Sequence, residues 1–273
     1  MLYIVATPIG NLGDMTRRAL DVLASVDTVY AEDTRYSRRL LNHYGVQANL
    51  VSLHEHNEEE RLVQVIGLLE SGGTAALISD AGTPLISDPG YRLVAACHTR
   101  GLGISPVPGP SALISALSVA GLPTDSFVFL GFPPAKKEER KSWLAALSGQ
   151  ARTMVFYESR HRIVASLADM RDTFGEDRVM TMTRELTKQF ETIRRGSIGD
   201  MADWVSADPD QQKGEYVLIV AGAEPTTEPD ARAREVLTLL LRDLSVKRAS
   251  EVAAQVLGMK KNALYKLALA LAE

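Results

Sequence analysis

The chain has 273 residues, enough for one large or two medium domains, and its 45% hydrophobic and 23% charged content is ordinary for a globular protein. No apolar run reaches the length of a membrane span, the opening residues predict a first strand rather than a signal peptide, and the single cysteine excludes an intrachain disulfide and fits a reducing cytoplasm. The net charge of −4 argues against non-specific coating of nucleic acid, yet from Asp230 to Glu273 eight Lys/Arg face five Asp/Glu, a net of +3 that leaves −7 for residues 1–229 and suggests an acidic partner for the C-terminal end.

In chain order, residues 2–7 predict a strand and 15–25 a helix with Asp14 as its N-cap. A strand at 28–31, a helix at 37–43 and a strand at 50–53 follow. Leu62, Val65, Ile66 and Leu69 recur at helical spacing over 58–70. The apolar run 74–78 reads as a buried strand, and 91–100 as a helix capped by Asp88 with Cys97 in its core face. A strand at 103–107 and a helix through Ala120 complete this half. Short strands alternating with helices predict a parallel α/β sheet covered on both faces.

The segment Gly121-Leu-Pro-Thr124 breaks the alternation. Strands are then expected at 127–130, 153–157, 179–183, 191–196 and 215–221, with helices at 137–148, 161–173 and 200–206. The closeness of 179–183 to 191–196 suggests an antiparallel pair, hence a mixed α+β domain. Residues 222–230 read as a proline-containing linker. Helices follow at 231–243, around Ala249, Val252, Ala253 and Val256, and at 262–271, with a turn at Gly258. Lys247, Arg248, Lys260, Lys261 and Lys266 make this end helix-turn-helix-like, although a helical hairpin packed on the body or on a dimer mate has the same pattern. The expected organisation is an N-terminal α/β domain (1–121), a second α/β domain (122–222) and a small helical domain (230–273).

The chemistry is expected at the strand ends, because the loops at the carboxyl edge of a parallel sheet converge. The most informative is Ile78-Ser-Asp-Ala-Gly-Thr-Pro-Leu-Ile-Ser-Asp-Pro-Gly90, where Gly82 admits a ligand close to the backbone and Asp80 offers a carboxylate to sugar hydroxyls. The loops 7–14, 31–35 and 108–112 join it, and 157–161, 184–188 and 213–216 come from the second half. No G-x-x-x-x-G-K-[ST], G-x-G-x-x-G after the first strand, G-x-S-x-G, CxxC or HExxH occurs, and His54 and His56 around Glu55 are a weak metal signal, so no metal is expected.

In combination, TPIGNLGDMT (7–16), AEDTR (31–35), LHEHNE (53–58), SDAGTPLISDPG (79–90), PVPGPSA (106–112), FYES-HR (156–162), RELTK (184–188) and KGEYVL (213–218) resemble the tetrapyrrole-methylase-like superfamily, and within it the ribosomal RNA small-subunit methyltransferase I family. The resemblance spans the catalytic part in order, and the family's helical C-terminal domain fits 230–273. One departure is Arg160, where the family usually has proline. Either the following helix starts differently or Arg160 adds a phosphate contact.

The resemblance implies two α/β domains, a homodimer, and S-adenosyl-L-methionine in the cleft between the domains. It also implies methylation of a cytidine ribose 2′-hydroxyl in the decoding region of 16S ribosomal RNA, within the small ribosomal subunit. Expected donor-binding residues are Pro8, Asp80, Ala81, Gly82, Leu85, Ser111, Ala112, Tyr157 and Leu186. A 2′-hydroxyl is a poor acid, so a general base would help, with Glu32, Asp33, Glu158 and Glu185 as candidates and Arg35, Arg184 and Lys188 as phosphate contacts or charge balance. The same charges could instead form a structural network, for example Arg184 with Glu158 or Asp33. Arg160, Arg184, Lys188, Lys247, Arg248, Lys260 and Lys261 are the expected RNA contacts. The competing readings are a corrin- or porphyrin-precursor methyltransferase, which would leave the basic C-terminal end unexplained, and a non-catalytic RNA-binding module.

Overall fold

Short strands that are apolar along most of their length build a sheet with two covered faces. The computed structural model describes residues 1–54, 56–224 and 231–272. Glu55, residues 225–230 of the expected linker and Glu273 lie outside the described residues. Strands β1 (Leu2–Val5), β2 (Thr28–Ala31), β3 (Leu50–Ser52), β4 (Ala75–Ile78) and β5 (Ile104–Val107) form a wholly parallel sheet in the order β3-β2-β4-β1-β5. Leu2, Tyr30, Ala75 and Leu77 point to the side covered by α3 (Glu58–Glu70) and α4 (Tyr91–Thr99). Val5, Val29, Ala31, Ala76 and Ile78 point to the side covered by α1 (Arg17–Ser25) and α2 (Thr34–His43). The strands therefore read as continuous apolar runs, as expected of a sheet buried on both faces. Cys97 is fully buried in α4, as expected of a core residue.

Two helix starts and one helix cap differ from expectation, each for a local reason. α1 begins at Arg17 because the Thr16 hydroxyl, not Asp14, accepts the N–H of Ala19. α2 begins at Thr34 because the Asp33 carboxylate accepts the N–H groups of Arg35 and Tyr36. α4 is preceded by Gly90 at φ 122° with no side-chain cap, so Asp88 does not serve the helix.

The second sheet has the order β6-β7-β10-β8-β9, built from β6 (Phe127–Phe129), β7 (Thr153–Ser159), β8 (Val179–Arg184), β9 (Thr192–Ser197) and β10 (Glu215–Val220). β6 pairs with β7 in parallel and the other neighbours are antiparallel, including β8 with β9 as the spacing predicted. One face packs with α6 (Lys137–Leu147), α7 (Ile163–Phe174) and α8 (Ile198–Ala207) around Leu144, Met154, Phe156, Leu167, Met182 and Leu218. A capping box between Ser197 and Asp200 starts α8. The opposite face receives α5 (Ala112–Val119), whose Leu113, Ala116 and Leu117 bury against Val155, Val217 and Ile219. Met1–Ser148 and Arg152–Ala221 form one compact unit containing both sheets.

Gly149–Ala151 with Gly222–Glu273 form a second compact unit. Its helices α9 (Ala231–Leu240), α10 (Val246–Leu257) and α11 (Lys261–Ala272) share a core of Leu237, Ala249, Ala253, Leu264 and Leu267. The turn expected at Gly258 is present, with φ 67° after α10. Among the described residues no helix is long and apolar enough to cross a membrane.

One ion pair in the body is nearly dry. Arg140 and Asp169 lie 2.7 Å apart with side chains 4% and 5% exposed, and Arg140 also donates to the carbonyls of Pro134 and Ala135. Removing one partner strands a buried charge. Asp169→Ala is expected to cost about 3–5 kcal/mol in urea unfolding. A loss below about 1 kcal/mol would show that water reaches the Arg140 guanidinium.

Candidate active site

The loops after β1 and β4 are fastened to each other, and they form one wall of the site. Thr7 and Gly82 exchange backbone hydrogen bonds of 2.9 and 3.0 Å, and the Thr7 hydroxyl donates to the carbonyl of Ser79 at 3.2 Å. Gly82 has φ 83°, a conformation that glycine adopts without penalty. Thr83 then ties this loop to the loop after β5 by donating to the carbonyl of Pro110 at 3.0 Å. Ser111 caps α5 by accepting from Ile114.

A cavity of about 790 Å³ opens against this wall, a volume suited to a nucleotide-sized ligand. From the first half it is lined by Asp80, Ala81, Gly82, Asp88, Ser111 and Ala112. From the second half come Tyr157, Glu158, Glu185, Leu186 and Lys188, with Arg160 and His161 also on its lining. Seven of the nine expected donor-binding residues thus meet in one place. Pro8 and Leu85 do not line it: Pro8 is buried, and Leu85 packs on the first core beside Leu77.

Tyr157 is held firmly. Its ring meets those of Phe129 and Phe132 edge-on at 4.8 and 5.6 Å, and its hydroxyl accepts the N–H of Leu113 at 3.2 Å. This contact joins β7 to α5. Burial raises its phenol above the ordinary range, while the Leu113 N–H acts the other way.

Two non-glycine turns carry left-handed backbone, Leu85 with Ser87 (φ 73° and 70°) and Glu185 with Thr187 (φ 66° for Thr187, 50° for Glu185). Ile86 and Ser87 of the first and Glu185 and Leu186 of the second line the cavity. Strain of this kind costs on the order of 1–3 kcal/mol per residue and gathers at functional sites. Lys188 lies across Gly10, where a Cβ would overlap its side chain, and Thr187 accepts the N–H of Asn11 at 3.2 Å. These contacts close the second half onto the loop after β1.

The charged candidates separate sharply once their partners are known. Asp33 does not line the cavity; it caps α2 and pairs with Arg35 at 3.1 Å. The Arg35 side chain and N–H hold its carboxyl down at about 2. The Glu158 side chain is fully buried and accepts from Arg162 at 3.1 Å, from the N–H of Ser159 at 2.8 Å and from the Ser166 hydroxyl. Glu185 accepts from Lys188 at 2.9 Å and from the N–H of Glu215 at 3.0 Å. Burial alone would raise the Glu185 carboxyl, but these donors and the nearby cations bring it below its ordinary value.

Arg184 pairs with neither Glu158 nor Asp33. It is buried and donates to the carbonyl of Lys213 at 3.0 Å and to Thr192 at 3.4 Å, so it braces the strand ends and is no exposed phosphate contact. Lys188 bridges Glu185 and Glu215. Arg160 is exposed and donates to His161 Nε2 at 3.2 Å, and the helix after it begins at Ile163. In the second unit Lys261 and Arg248 both pair with Glu251, whereas Lys247, Lys260 and Lys266, exposed like them, have no ion pair among the described residues.

Sequence reasoning missed Asp88. It lines the cavity, and burial together with the charges of Glu32 and Asp80 pushes its carboxyl up to about 6, with the Ser79 hydroxyl partly offsetting them. The reading as a helix cap hid it. The available signal was Gly90, which can begin a helix without help from the side chain two residues earlier.

A cavity at the carboxyl edge of a parallel sheet is where α/β proteins of many activities bind their ligands. Residues 1–202 match the tetrapyrrole (corrin/porphyrin) methylase family. The fold resembles uroporphyrin-III-C-methyltransferase from Thermus thermophilus (TM-score 0.55, 20% identity, 81% of this chain and 93% of that one). It also resembles cobalt precorrin-4 methyltransferase, a cobalamin biosynthetic enzyme (TM-score 0.59, 19% identity, 80% and 93%). Residues 227–272 match a family described as the RsmI C-terminal HTH domain. Ribosomal RNA small subunit methyltransferase I of Pseudomonas aeruginosa is 52% identical over 98% of this chain and 96% of its own, and that of Escherichia coli O157:H7 is 49% identical over 98% and 94%. The chain therefore belongs to the tetrapyrrole methylase family and, within it, to the ribosomal RNA small subunit methyltransferase I group.

The cavity wall is sensitive at Gly214, which has φ 101° and would place a Cβ 2.5–2.8 Å from the Glu185 side chain. Gly214→Ala is expected to displace Glu185 and Lys188 and to weaken methyl-donor binding about tenfold, a loss of about 1.4 kcal/mol. Calorimetric titration with the donor checks this. Unchanged affinity would mean that the Glu185–Lys188 turn does not shape the donor site.

Proposed function

We propose that the protein binds S-adenosyl-L-methionine in this cavity and methylates a cytidine ribose 2′-hydroxyl in the decoding region of 16S ribosomal RNA. The observation that carries the reading is the convergence of Asp80–Gly82, Ser111–Ala112, Tyr157 and Leu186 on one cavity, in a chain whose relatives are named for small-subunit RNA methylation. In this reading residues 1–121 and 122–222 are two lobes around the donor, and the protein is a cytoplasmic homodimer acting on the small ribosomal subunit.

The residues present fit the donor. Small side chains at Ala81, Gly82 and Ala112 leave backbone groups open to a flat base. Asp80 supplies an acceptor for ribose hydroxyls or an ammonium group. Leu186, 9% exposed, offers an apolar cover. When bound, the donor supplies a methyl group already activated by its sulfonium, so the protein's share of the work is position, desolvation and proton removal. Tyr157, anchored at both ring and hydroxyl, fixes one side of that position.

RNA is held by one exposed cation on the cavity lining and by others on the helical unit. Arg160 is exposed where a strand end meets the cavity, and Lys247, Lys260 and Lys266 are exposed on the helical unit. Lys247→Gln with Lys260→Gln should weaken binding to small subunits and lower the slope of log affinity against log salt by roughly 0.7–0.9 per lost phosphate contact. Lys261→Gln should do less, because Glu251 already neutralises that lysine. Equal effects from all three would contradict this division.

The direct test offers labelled S-adenosyl-L-methionine and small subunits from cells lacking the protein, then maps the label to nucleotide and atom. Label on a cytidine 2′-oxygen in the decoding region is the expected result. Donor binding without transfer to any RNA would instead mark a non-catalytic module.

A further inference from the structure

Methylating a hydroxyl requires a place for its proton, and few cavity-lining groups can take one. Glu158 has its carboxylate filled by Arg162, the Ser159 N–H and the Ser166 hydroxyl. Glu185 and Glu215 share Lys188. His161 has Nε2, an acceptor, already receiving Arg160. Asp80 accepts the N–H of Asp33 at 3.1 Å. Asp88 is different. Among the described residues no Lys or Arg pairs with either Asp80 or Asp88, and Asp88 has no backbone donor committed to it by a helix start. It ends the segment in which Leu85 and Ser87 hold left-handed backbone, so its position is imposed by the loop.

Resting on the function proposed above, we propose that Asp88 is the proton acceptor of the transfer reaction. Its carboxylate takes the proton of the ribose 2′-hydroxyl while the 2′-oxygen bonds to the methyl carbon. The methyl–sulfur bond breaks with its electron pair kept by sulfur, which becomes a neutral thioether. Asp88 then releases the proton to water.

The surroundings suit this role. Glu32 from the loop after β2, Asp80 and Ser79 from the loop after β4, and Tyr157 from β7 act electrostatically on Asp88 or are acted on by it, while Arg160 and His161 line the same cavity. Burial, then the Glu32 charge, raises the carboxyl to about 6, against the opposing Ser79 hydroxyl and with a smaller push from Asp80. Such a group is ionised at neutral pH yet more basic than an ordinary aspartate, which is the tuning a general base needs. The same shift has a sign for stability. A carboxyl raised above its unfolded value favours the native state when protonated, so this contribution is present at low pH and lost as pH rises through about 6.

The test compares wild type, Asp88→Asn and Asp88→Glu by single-turnover methylation of small subunits between pH 5 and 8.5, with donor affinity measured by calorimetry and melting followed at pH 4.5 and 8. The wild-type rate should rise about tenfold per pH unit below about 6 and then level. Asp88→Asn should lower the plateau roughly 10²–10⁴-fold and abolish that acid limb, with donor affinity within twofold. Asp88→Glu should recover part of the rate. Asp88→Asn should also melt higher than wild type at pH 8, relative to their difference at pH 4.5, because it removes an unfavourably ionised group. If Asp88→Asn keeps both plateau and acid limb, Asp88 is not the acceptor, although 2′-oxygen labelling by wild type would leave the proposed function standing. If donor affinity falls as far as the rate, Asp88 is a donor ligand and the proposal fails. If wild type places no label on a 2′-oxygen, both readings fall.

Discussion

The burial of α5 against the second sheet is the contact on which the site depends. Leu113, Ala116, Leu117 and Ala120 leave water against Val155, Val217 and Ile219, and each fully buried leucine contributes about 1.5–3 kcal/mol. The same helix begins at Ser111 and Ala112, on the cavity wall, and its Leu113 N–H meets the Tyr157 hydroxyl. Further along, the Thr181 hydroxyl donates to the carbonyl of Ala120 at 2.7 Å. Thus a helix that follows the last parallel strand fixes where the second sheet's loops fall. Without that packing, Leu186 and Tyr157 would have no reason to face Asp80 and Gly82.

The electrostatics divide into charged groups held by partners and two carboxylates, Asp80 and Asp88, that face like charge. Lys188 is braced by two carboxylates and lies over Gly10, which closes the second-sheet turn onto the loop after β1. Glu158 anchors the end of β7 to the start of α7 through Arg162 and Ser166. Asp33 starts α2 and lends its N–H to Asp80. Each of these carboxylates is engaged by a cation or by N–H and O–H donors. Asp88 and Asp80 face like charge instead, and burial together with that charge raises both carboxyls above the ordinary aspartate range.

Much of the architecture was legible because the strands of the first sheet are buried on both faces and read as short apolar runs between amphipathic helices. The antiparallel β8–β9 pair followed from the seven residues between the two strands. Loop convergence was legible for the same reason, since the carboxyl ends of parallel strands share an edge. The partners of individual charges were not. Asp33 and Glu158 look in sequence like available carboxylates, and only three-dimensional contacts with Arg35, Arg162 and Ser166 reveal them as structural. Arg184 looks like an RNA contact, but β8 carries it into a buried position against the carbonyl of Lys213. Asp88 was read as a cap because Asp before a helix usually is one. Gly90 made that cap unnecessary.

In the function proposed above, loops from both sheets form a single methyl-donor site. A crystal structure with S-adenosylhomocysteine tests it most directly. The ligand is expected in the 790 Å³ cavity, touching the Asp80–Gly82 loop and Ala112 on one side and Tyr157 and Leu186 on the other. A ligand held by the first sheet alone, or seated outside this cavity, would contradict it.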